Sequence, residues 1–488
     1  MKWLAFLLIG VLLLGNCAPK YQRAPGEVPQ EYRFQFPQGQ PRPELSSLAD
    51  LTWWEMFKDP ALQGLISTAL TQNYDVRQAV ARVAEARALI GVSRSLWLPQ
   101  VGGAALFQRN KVSRTSVSPP IPPEIGVVDS LAQFNFDLFW EVDLFGRLWN
   151  LTNATRSEFF ASQWGQRAVW ATVVADVARA YFELRALDRQ VEIARSNLKL
   201  FQEAQRLVRL RHDRGVVSRE EVAQADALVH TAGARIPDLE RQIAQKENQI
   251  SLLLGENPRP IPRGKTLPEL VVRPQVPAGL PSALLERRPD IHQAEETLVA
   301  TNYRIGAARA NFFPRISLTG LAGTQSVDLK KLFTGPSSIW NIGPTMTIPI
   351  FTSGFNYFAL QATKAQQEQA LVQYQFAVRQ AFREVSDGLV AHTKFQEFRQ
   401  EQEALVQSYQ VYSKMATKRF KGGLASFLAV LDADRQLFNV ELELAAVQRD
   451  QLITLVQLYK ALGGGWENRT RPQDLAPSVP SPKTAGKP

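Results

Sequence analysis

The fold class that this sequence predicts is an α+β membrane protein built from two tandem repeats. Three observations predict it. A block of residues 73–101 recurs without gaps 215 positions later. Two segments, 151–212 and 355–421, run for more than 60 residues without a proline. Each half also carries a pair of strand-like stretches with one apolar and one polar face.

The first repeat block sets Asp75 on Asp290, Ala79 on Ala294, Gly91 on Gly306 and Pro99 on Pro314. A second block recurs at a spacing of 208, with Gly215 on Gly423, Ser218 on Ser426, Val222 on Val430 and Ala225 on Ala433. These matches delimit a first repeat at 60–255 and a second at 282–463. Residues 256–281 between them hold seven prolines, a density that forbids helix and predicts an extended linker.

The chain of 488 residues opens with Lys2 and the apolar run Leu4 to Leu14. Eleven residues are too few to span a bilayer as a helix but suit the core of a signal peptide over 1–17. Cys17, the only cysteine, ends the stretch "LLGNC". That stretch resembles a bacterial lipobox, although Asn16 stands where a small residue is usual. The resemblance implies an acylated Cys17 as the mature N-terminus. Ala18 and Pro19 follow, without an acidic retention signal. Residues 18–59 read as an extended segment. The net charge of +10 is scattered rather than collected in a basic block, which argues against nucleic-acid binding.

The first repeat begins with a helix of about 35 residues. Asp59 is its N-cap, Pro60 its first helical position, and it ends near Trp97, before Pro99. Strands follow at 100–109 and 133–145, around a loop rich in Ser and Pro. In "FNFDLFWEVDLFGR" (134–147), Phe134, Phe136, Leu138 and Trp140 share one face, and Asn135, Asp137 and Glu141 the other. Phe139 breaks the pattern on the polar face. The second repeat places strands at 315–323 and 338–351, where Pro344 and Pro349 point to an edge or irregular position.

A long helix then leads to a short break, "DRGVVS" or "KGGLAS", and a return helix of about 36 residues. At about 1.5 Å per residue the first long segment reaches roughly 90 Å. In the last return helix, Leu428, Leu431, Phe438, Leu442, Ala445, Leu452, Val456 and Tyr459 alternate spacings of three and four, interrupted by Arg435 and Arg449. That seam predicts coiled-coil packing. Residues 464–488 form a tail.

Four strands cannot close a barrel, for which about eight are the minimum. Open edges invite aggregation. If the apolar faces meet lipid, closure needs several chains, and three chains would supply twelve strands. A strand of about ten residues is the length of a tilted membrane span.

The motifs "WWEMFKDPALQGLISTALTQNYD" (53–75), "LFWEVDLFGR" (138–147), "LLERRPDI" (284–291) and "LDADRQLF…QLITLVQLYKALGGGW" (431–466) resemble the outer-membrane efflux family that includes TolC and OprM, in its NodT-type lipoprotein branch. The resemblance covers residues 45–466. It implies a homotrimer whose twelve-stranded barrel lies in outer-membrane lipid. A coiled-coil helical barrel would continue it through the periplasm, and a mixed α/β equatorial belt would surround that barrel. It implies an exit duct for drugs or other small molecules, gated at its periplasmic tip. The implied partners are a periplasmic adaptor and an inner-membrane pump of the resistance-nodulation-division type. No cofactor is implied, because the pump supplies the energy. A channel for type I protein secretion stays open as an alternative. So does a lipidated periplasmic coiled-coil adaptor, although an adaptor has no use for duplicated amphipathic strand pairs.

No catalytic motif is present, and the four histidines lack metal-ligand spacing, so no enzyme or metal site is expected. The breaks Gly215, Val216, Val217, Ser218 and Gly423, Leu424, Ala425, Ser426 reverse the chain, with Gly ending one helix and Ser capping the next. Tight turns alone account for Gly and Ser but not for apolar pairs at a tip. The resemblance reads the tips as adaptor contacts. It also places Leu428, Asp432 and Arg435 at the periplasmic aperture, where three copies of Asp432 would form an acidic ring favouring cations. The ordinary alternative is a solvated Asp in the first turn of a helix, which complements the helix dipole. The first repeat has Gln224 at the matching position. Phe134, Phe136, Leu138 and Trp140 are read as lipid-facing, and Asn135, Asp137 and Glu141 as lumen-facing, with Phe145 and Gly146 at the bend from strand to helix.

Because Cys17 is the sole thiol, Cys17→Ser is expected to abolish incorporation of radioactive palmitate while leaving the protein folded; undiminished labelling would place the acyl chain elsewhere.

Overall fold

Asn73 divides what the periodicity predicts as one long helix. In the computed structural model, α1 (Pro60–Gln72) stops there and α2 (Tyr74–Ser95) begins. Asn73 has an extended ψ of 137°. Its Oδ1 accepts the N–H groups of Asp75 (2.8 Å) and Val76 (3.2 Å), which caps α2. Asp59 caps α1 in the same way, accepting from Ala61 N at 2.9 Å.

The structure describes residues 47–116, 119, 122–123, 125–126, 128–270, 279 and 281–466, with residues 21, 23, 29 and 32. The signal-peptide segment, Cys17, most of 18–46, part of the linker and the tail beyond 466 lie outside the described residues. The chain continues through β1 (Gln100–Lys111), β2 (Val128–Val142), α3 (Arg147–Asp213) and α4 (Arg219–Leu253). The second half gives α5 (Pro281–Arg287), α6 (Pro289–Ala310), β3 (Arg315–Ser326), β4 (Ser338–Thr347), α7 (Phe355–Lys421) and α8 (Phe427–Ala461). The order of elements is the same in both halves.

The break in the first helix also recurs. Arg288, 215 positions after Asn73, separates α5 from α6. Asn73 Nδ2 donates to Leu253 O at 2.8 Å, and Arg288 Nη1 donates to Ala461 O at 3.1 Å. Those two carbonyls are 208 positions apart. Each break therefore ties down the end of its own return helix, by an amide in one half and a guanidinium in the other. Arg288 is buried and held by Asp290 and by Glu384 at 2.7 Å. A buried charge persists only when paired in this way.

All four strands form one antiparallel sheet in the order β1-β2-β3-β4. Among the described residues β1 and β4 each have a single strand neighbour, which leaves both edges of the sheet open there. Pro344 lies in β4, where a missing N–H costs no interior ladder bond. β2 ends at Val142 rather than 145, and β4 at Thr347 rather than 351, ahead of Pro349. A left-handed Gly146 (φ 71°) turns the chain into α3, and Ser353 (φ 49°) with Gly354 (φ 82°) does so before α7. Phe145 stacks on Phe313 at 4.8 Å beside the first of these bends.

The chain separates into two compact units. The sheet belongs to the unit comprising Met1–Pro25, Arg82–Gln163 and Gln293–Gln375. In it Ser93 Oγ and Trp97 Nε1 both donate to Thr152 Oγ1, joining α2 to α3. The other unit comprises Gly26–Ala81, Trp164–His292 and Phe376–Pro488 and is helical. Its core holds Leu62, Ile66, Tyr181, Leu184, Leu254 and Leu458, all fully buried. The described linker packs onto it, since Asp59 Oδ2 accepts Tyr181 Oη (2.8 Å) and Lys265 N (3.1 Å). Along α8 the expected seam is buried at Phe438, Ala445, Leu452, Val456 and Tyr459. Leu428 departs from it: it is exposed, and Phe427 beside it takes the interior place.

Asn73→Ala removes both the cap and the tie to α4 and is expected to cost about 1–2 kcal/mol. Urea titration followed by circular dichroism reads this as a lower midpoint. Asn73→Asp, which keeps the cap but loses the donor, is expected to fall between.

Candidate functional site

The two helix reversals that carry the expected contact residues are built alike. Gly215 (φ 74°) follows α3 and Gly423 (φ 74°) follows α7. Gly215 N donates to His212 O (2.8 Å) and Val216 N to Arg211 O (2.9 Å). Gly423 N donates to Phe420 O (3.0 Å) and Leu424 N to Arg419 O (2.9 Å). This six-to-one, five-to-two pair of bonds satisfies two terminal carbonyls and needs a left-handed residue, which Gly supplies without strain. Ser218 accepts Glu221 N at 3.3 Å and caps α4; Ser426 is the N-cap residue of α8 but makes no side-chain cap bond.

The apolar pairs divide. Val216 is 68% exposed and Leu424 73%, so each tip presents one bare aliphatic side chain. Val217 instead packs on a buried cluster of Val208, Ala225, Ala416, Phe420, Phe427, Val430 and Ala433, and Ala425 is half-buried. The expectation of two exposed apolar residues per tip is therefore corrected to one. The second residue faces inward because the chain has already turned towards the next helix.

Leu428, Asp432 and Arg435 lie on one face of α8, and Leu428 is 56% exposed. Arg435 Nη2 approaches Asp432 Oδ1 at 3.4 Å, a solvent-exposed pair of little energetic weight. The face is thus available to water and to other molecules.

Sequence reasoning missed three features here. Arg211 is the first. Its Nη1 and Nη2 donate to Phe420 O and Lys421 O, both at 3.1 Å, and its guanidinium lies 4.2 Å over the Phe420 ring. One helix end thereby caps the other with positive charge, as the dipole favours. The signal was an arginine four residues before each tip glycine, Arg211 and Arg419.

Second is a pair of matched carboxylates. Gln205 Nε2 donates to Asp226 at 2.8 Å, and 208 positions on Ser413 donates to Asp434. Asp226 also pairs with Arg209 at 2.9 Å, which, with Gln205, holds its pKa below the usual range. Asp434 has no such arginine, and burial pushes its pKa up, against the opposing bond from Ser413.

Third is the fate of Glu141, which Arg147 grips through two bonds of 2.9 and 2.7 Å. Elsewhere on β2, Gln133, Asn135 and Asp137 form a hydrogen-bonded row of 3.0 and 2.7 Å along one face. Asn135 is only 6% exposed, packed within that row rather than projecting. Gly323 opposite it is required, because a methyl there would lie 2.1 Å from Phe134 O. On the other face Phe134 and Phe136 meet edge to face at 5.4 Å. Leu138 is half-buried, and Trp140 donates its indole N–H to Trp97 O at 2.9 Å. Phe139, on the row's side, is exposed.

Among the described residues no group of three or more His, Cys, Asp or Glu side chains could hold a metal, and no helix is long and apolar enough to cross a membrane. The second fact says nothing of a β-barrel.

With these tips and this sheet in view, the comparisons with known proteins define the class. The profile of the outer membrane efflux protein family matches residues 65–256 and 280–464. The chain belongs to that family, whose members are efflux channels of the outer membrane and not enzymes. It is 38% identical over 463 residues to the toluene efflux pump outer membrane protein TtgF of Pseudomonas putida, covering 93% of this chain and 95% of that one. It is 33% identical over 462 residues to the probable outer membrane lipoprotein SilC of Salmonella typhimurium, covering 94% and 97%. Among solved structures it is similar to the open state of the Neisseria gonorrhoeae MtrE outer membrane channel, with a TM-score of 0.81 at 32% identity over 92% of this chain and 98% of that one. A membrane protein from Pseudomonas aeruginosa gives 0.82 at 33% identity, over 92% and 98%.

The Asp434 environment has a signed pH dependence. A raised folded pKa means that the group favours folding most when protonated, below about 3.9, and that this contribution is lost as pH rises through the folded value. Asp434→Asn is therefore expected to raise the thermal midpoint at pH 7 and to leave it unchanged near pH 3. An equal gain at both pH values would show that ionisation is not the cause.

Proposed function

We propose that this protein is the outer-membrane exit duct of a tripartite efflux system. The observation that carries the reading is the four-stranded sheet, amphipathic on β2 and open at both edges, joined to paired helices of 67 residues. Such a sheet satisfies its edges by pairing with copies of itself, and three chains give a closed barrel of twelve strands. On this reading Phe134, Phe136, Leu138 and Trp140 meet lipid, and the face that carries Asn135, Asp137 and the Arg147-paired Glu141 is turned to the lumen. The long helices continue the barrel as a coiled-coil tunnel in the periplasm, and Cys17 carries the lipid anchor.

Transport through this duct is passive. An inner-membrane pump of the resistance-nodulation-division type supplies the energy, and a periplasmic adaptor seats on the tips at Val216 and Leu424. The relatives named for toluene efflux support small apolar substrates among those exported. Leu428, Asp432 and Arg435 form the aperture at the periplasmic end.

Three measurements test the reading. Cell fractionation is expected to recover the protein in the outer membrane, and recovery in the soluble fraction would sink it. In planar bilayers Asp432→Ala is expected to raise single-channel conductance and to weaken block by divalent cations. Traces unchanged from the parent protein would return Asp432 to the role of a solvated helix residue. Deleting the gene is expected to sensitise cells to solvents and drugs.

A further inference from the structure

Arg211 has a counterpart whose partners are missing from its own chain. Arg419 occupies the same place in the second tip, 208 positions later, with the same carbonyl geometry beneath it. It is exposed, and among the described residues its guanidinium makes no hydrogen bond or ion pair. The acceptors that match those of Arg211 are equally unfilled. Phe420 O accepts both Gly423 N and Arg211, and Lys421 O accepts Arg211. Their counterparts are His212 O and Asp213 O. His212 O accepts Gly215 N alone, and Asp213 O accepts nothing among the described residues. A donor fork and its two matching carbonyls are thus both free, at the two ends of the same repeated surface.

We infer that Arg419 of one copy of the chain caps the end of α3 in the next copy. It donates to His212 O and Asp213 O and lies over the His212 ring. The partner is a second copy of this chain, and the inference rests on the ring assembly proposed above. In a ring of two-repeat chains, the joint from first to second repeat within a chain alternates with the joint from second to first between chains. A head-to-tail contact that closes reuses one patch at every joint. Arginine suits the task because its planar fork can hold two carbonyl oxygens at once, where the helix dipole concentrates negative charge. In a trimer the tips would be tied by six such staples, three within chains and three between them. The two kinds differ in one ring. Phe420 offers a benzene face to Arg211, whereas His212 offers an imidazole, a poorer seat for a cation. The joints between chains are therefore the weaker ones.

Cross-linking of the full-length protein in outer-membrane vesicles tests this. Cys17 is the only native thiol, and the single variants Arg419→Cys and Asp213→Cys serve as controls. A guanidinium reach is too long for a direct disulfide, so a short bis-maleimide is used. The double variant Arg419→Cys with Asp213→Cys is expected to give a ladder of covalent dimer and trimer on denaturing gels. The matching pair Arg211→Cys with Lys421→Cys is expected to link within the chain and to stay at monomer size. If native mass spectrometry finds a trimer but the first pair yields only monomer, this inference falls and the ring stands. If no trimer is found at all, both fall. Oligomer from the Arg211 pair would overturn the correspondence between the two joints.

Discussion

A helix cannot end without leaving carbonyls that need hydrogen bonds, and a chain with two helices of 67 residues meets that constraint at every reversal. The protein meets it in one way four times. Gly215, Gly255, Gly423 and Gly463 all take left-handed conformations after α3, α4, α7 and α8. Each hands two carbonyls to backbone N–H groups just beyond the helix. At the two return-helix ends the glycine is needed for space as well. A methyl at Gly255 would lie 2.5 Å from Gln72 O, and one at Gly463 about 3.0 Å from the Arg287 side chain. The ends of α4 and α8 thus press directly on the breaks at Asn73 and Arg288. The reversal of the helices at the tips follows from the turns at Gly215 and Gly423, while those at Gly255 and Gly463 close the return helices.

Within this shared backbone the two halves have diverged in chemistry. The tie from break to return helix is an amide in one half and a buried, doubly paired guanidinium in the other. The buried arginine is the more demanding solution, since its charge depends on Asp290 and Glu384 remaining in place. Close packing is kept by small residues where helices approach most nearly. The only glycine inside α7, Gly388, sits where an added methyl would lie 3.0 Å from the Leu458 side chain.

The reach of the sequence can be judged element by element. The two 67-residue helices were legible because nothing in them breaks a helix; the absence of proline is a strong local signal. The strands were legible in the two-residue period of β2, although their ends were not, since Asp143 and Leu144 continue the alternation past the last ladder bond at Val142. The break at Asn73 was hidden because Asn is tolerated inside a helix, and its capping role depends on Leu253, 180 residues away. The tip glycines were found, but not which valine turns inward, because that is decided by the cluster of Phe420 and Phe427. Arg211 escaped notice for a related reason. A side chain that caps a different helix leaves no periodic trace. Only the identity of positions 211 and 419 in the aligned halves carried the information.

The matched carboxylates Asp226 and Asp434 have a consequence for how the helical end responds to its surroundings. Acidification withdraws support from the first hairpin, where Arg209 prefers its partner charged, and lends support to the second, where burial prefers a neutral acid. The two hairpins therefore act as a balance. Asp434 responds as the pH falls towards the ordinary carboxylate range and Asp226 only below it, so the two responses are opposite in sign and follow one another. A duplicated fold can in this way register a change in its medium as internal asymmetry.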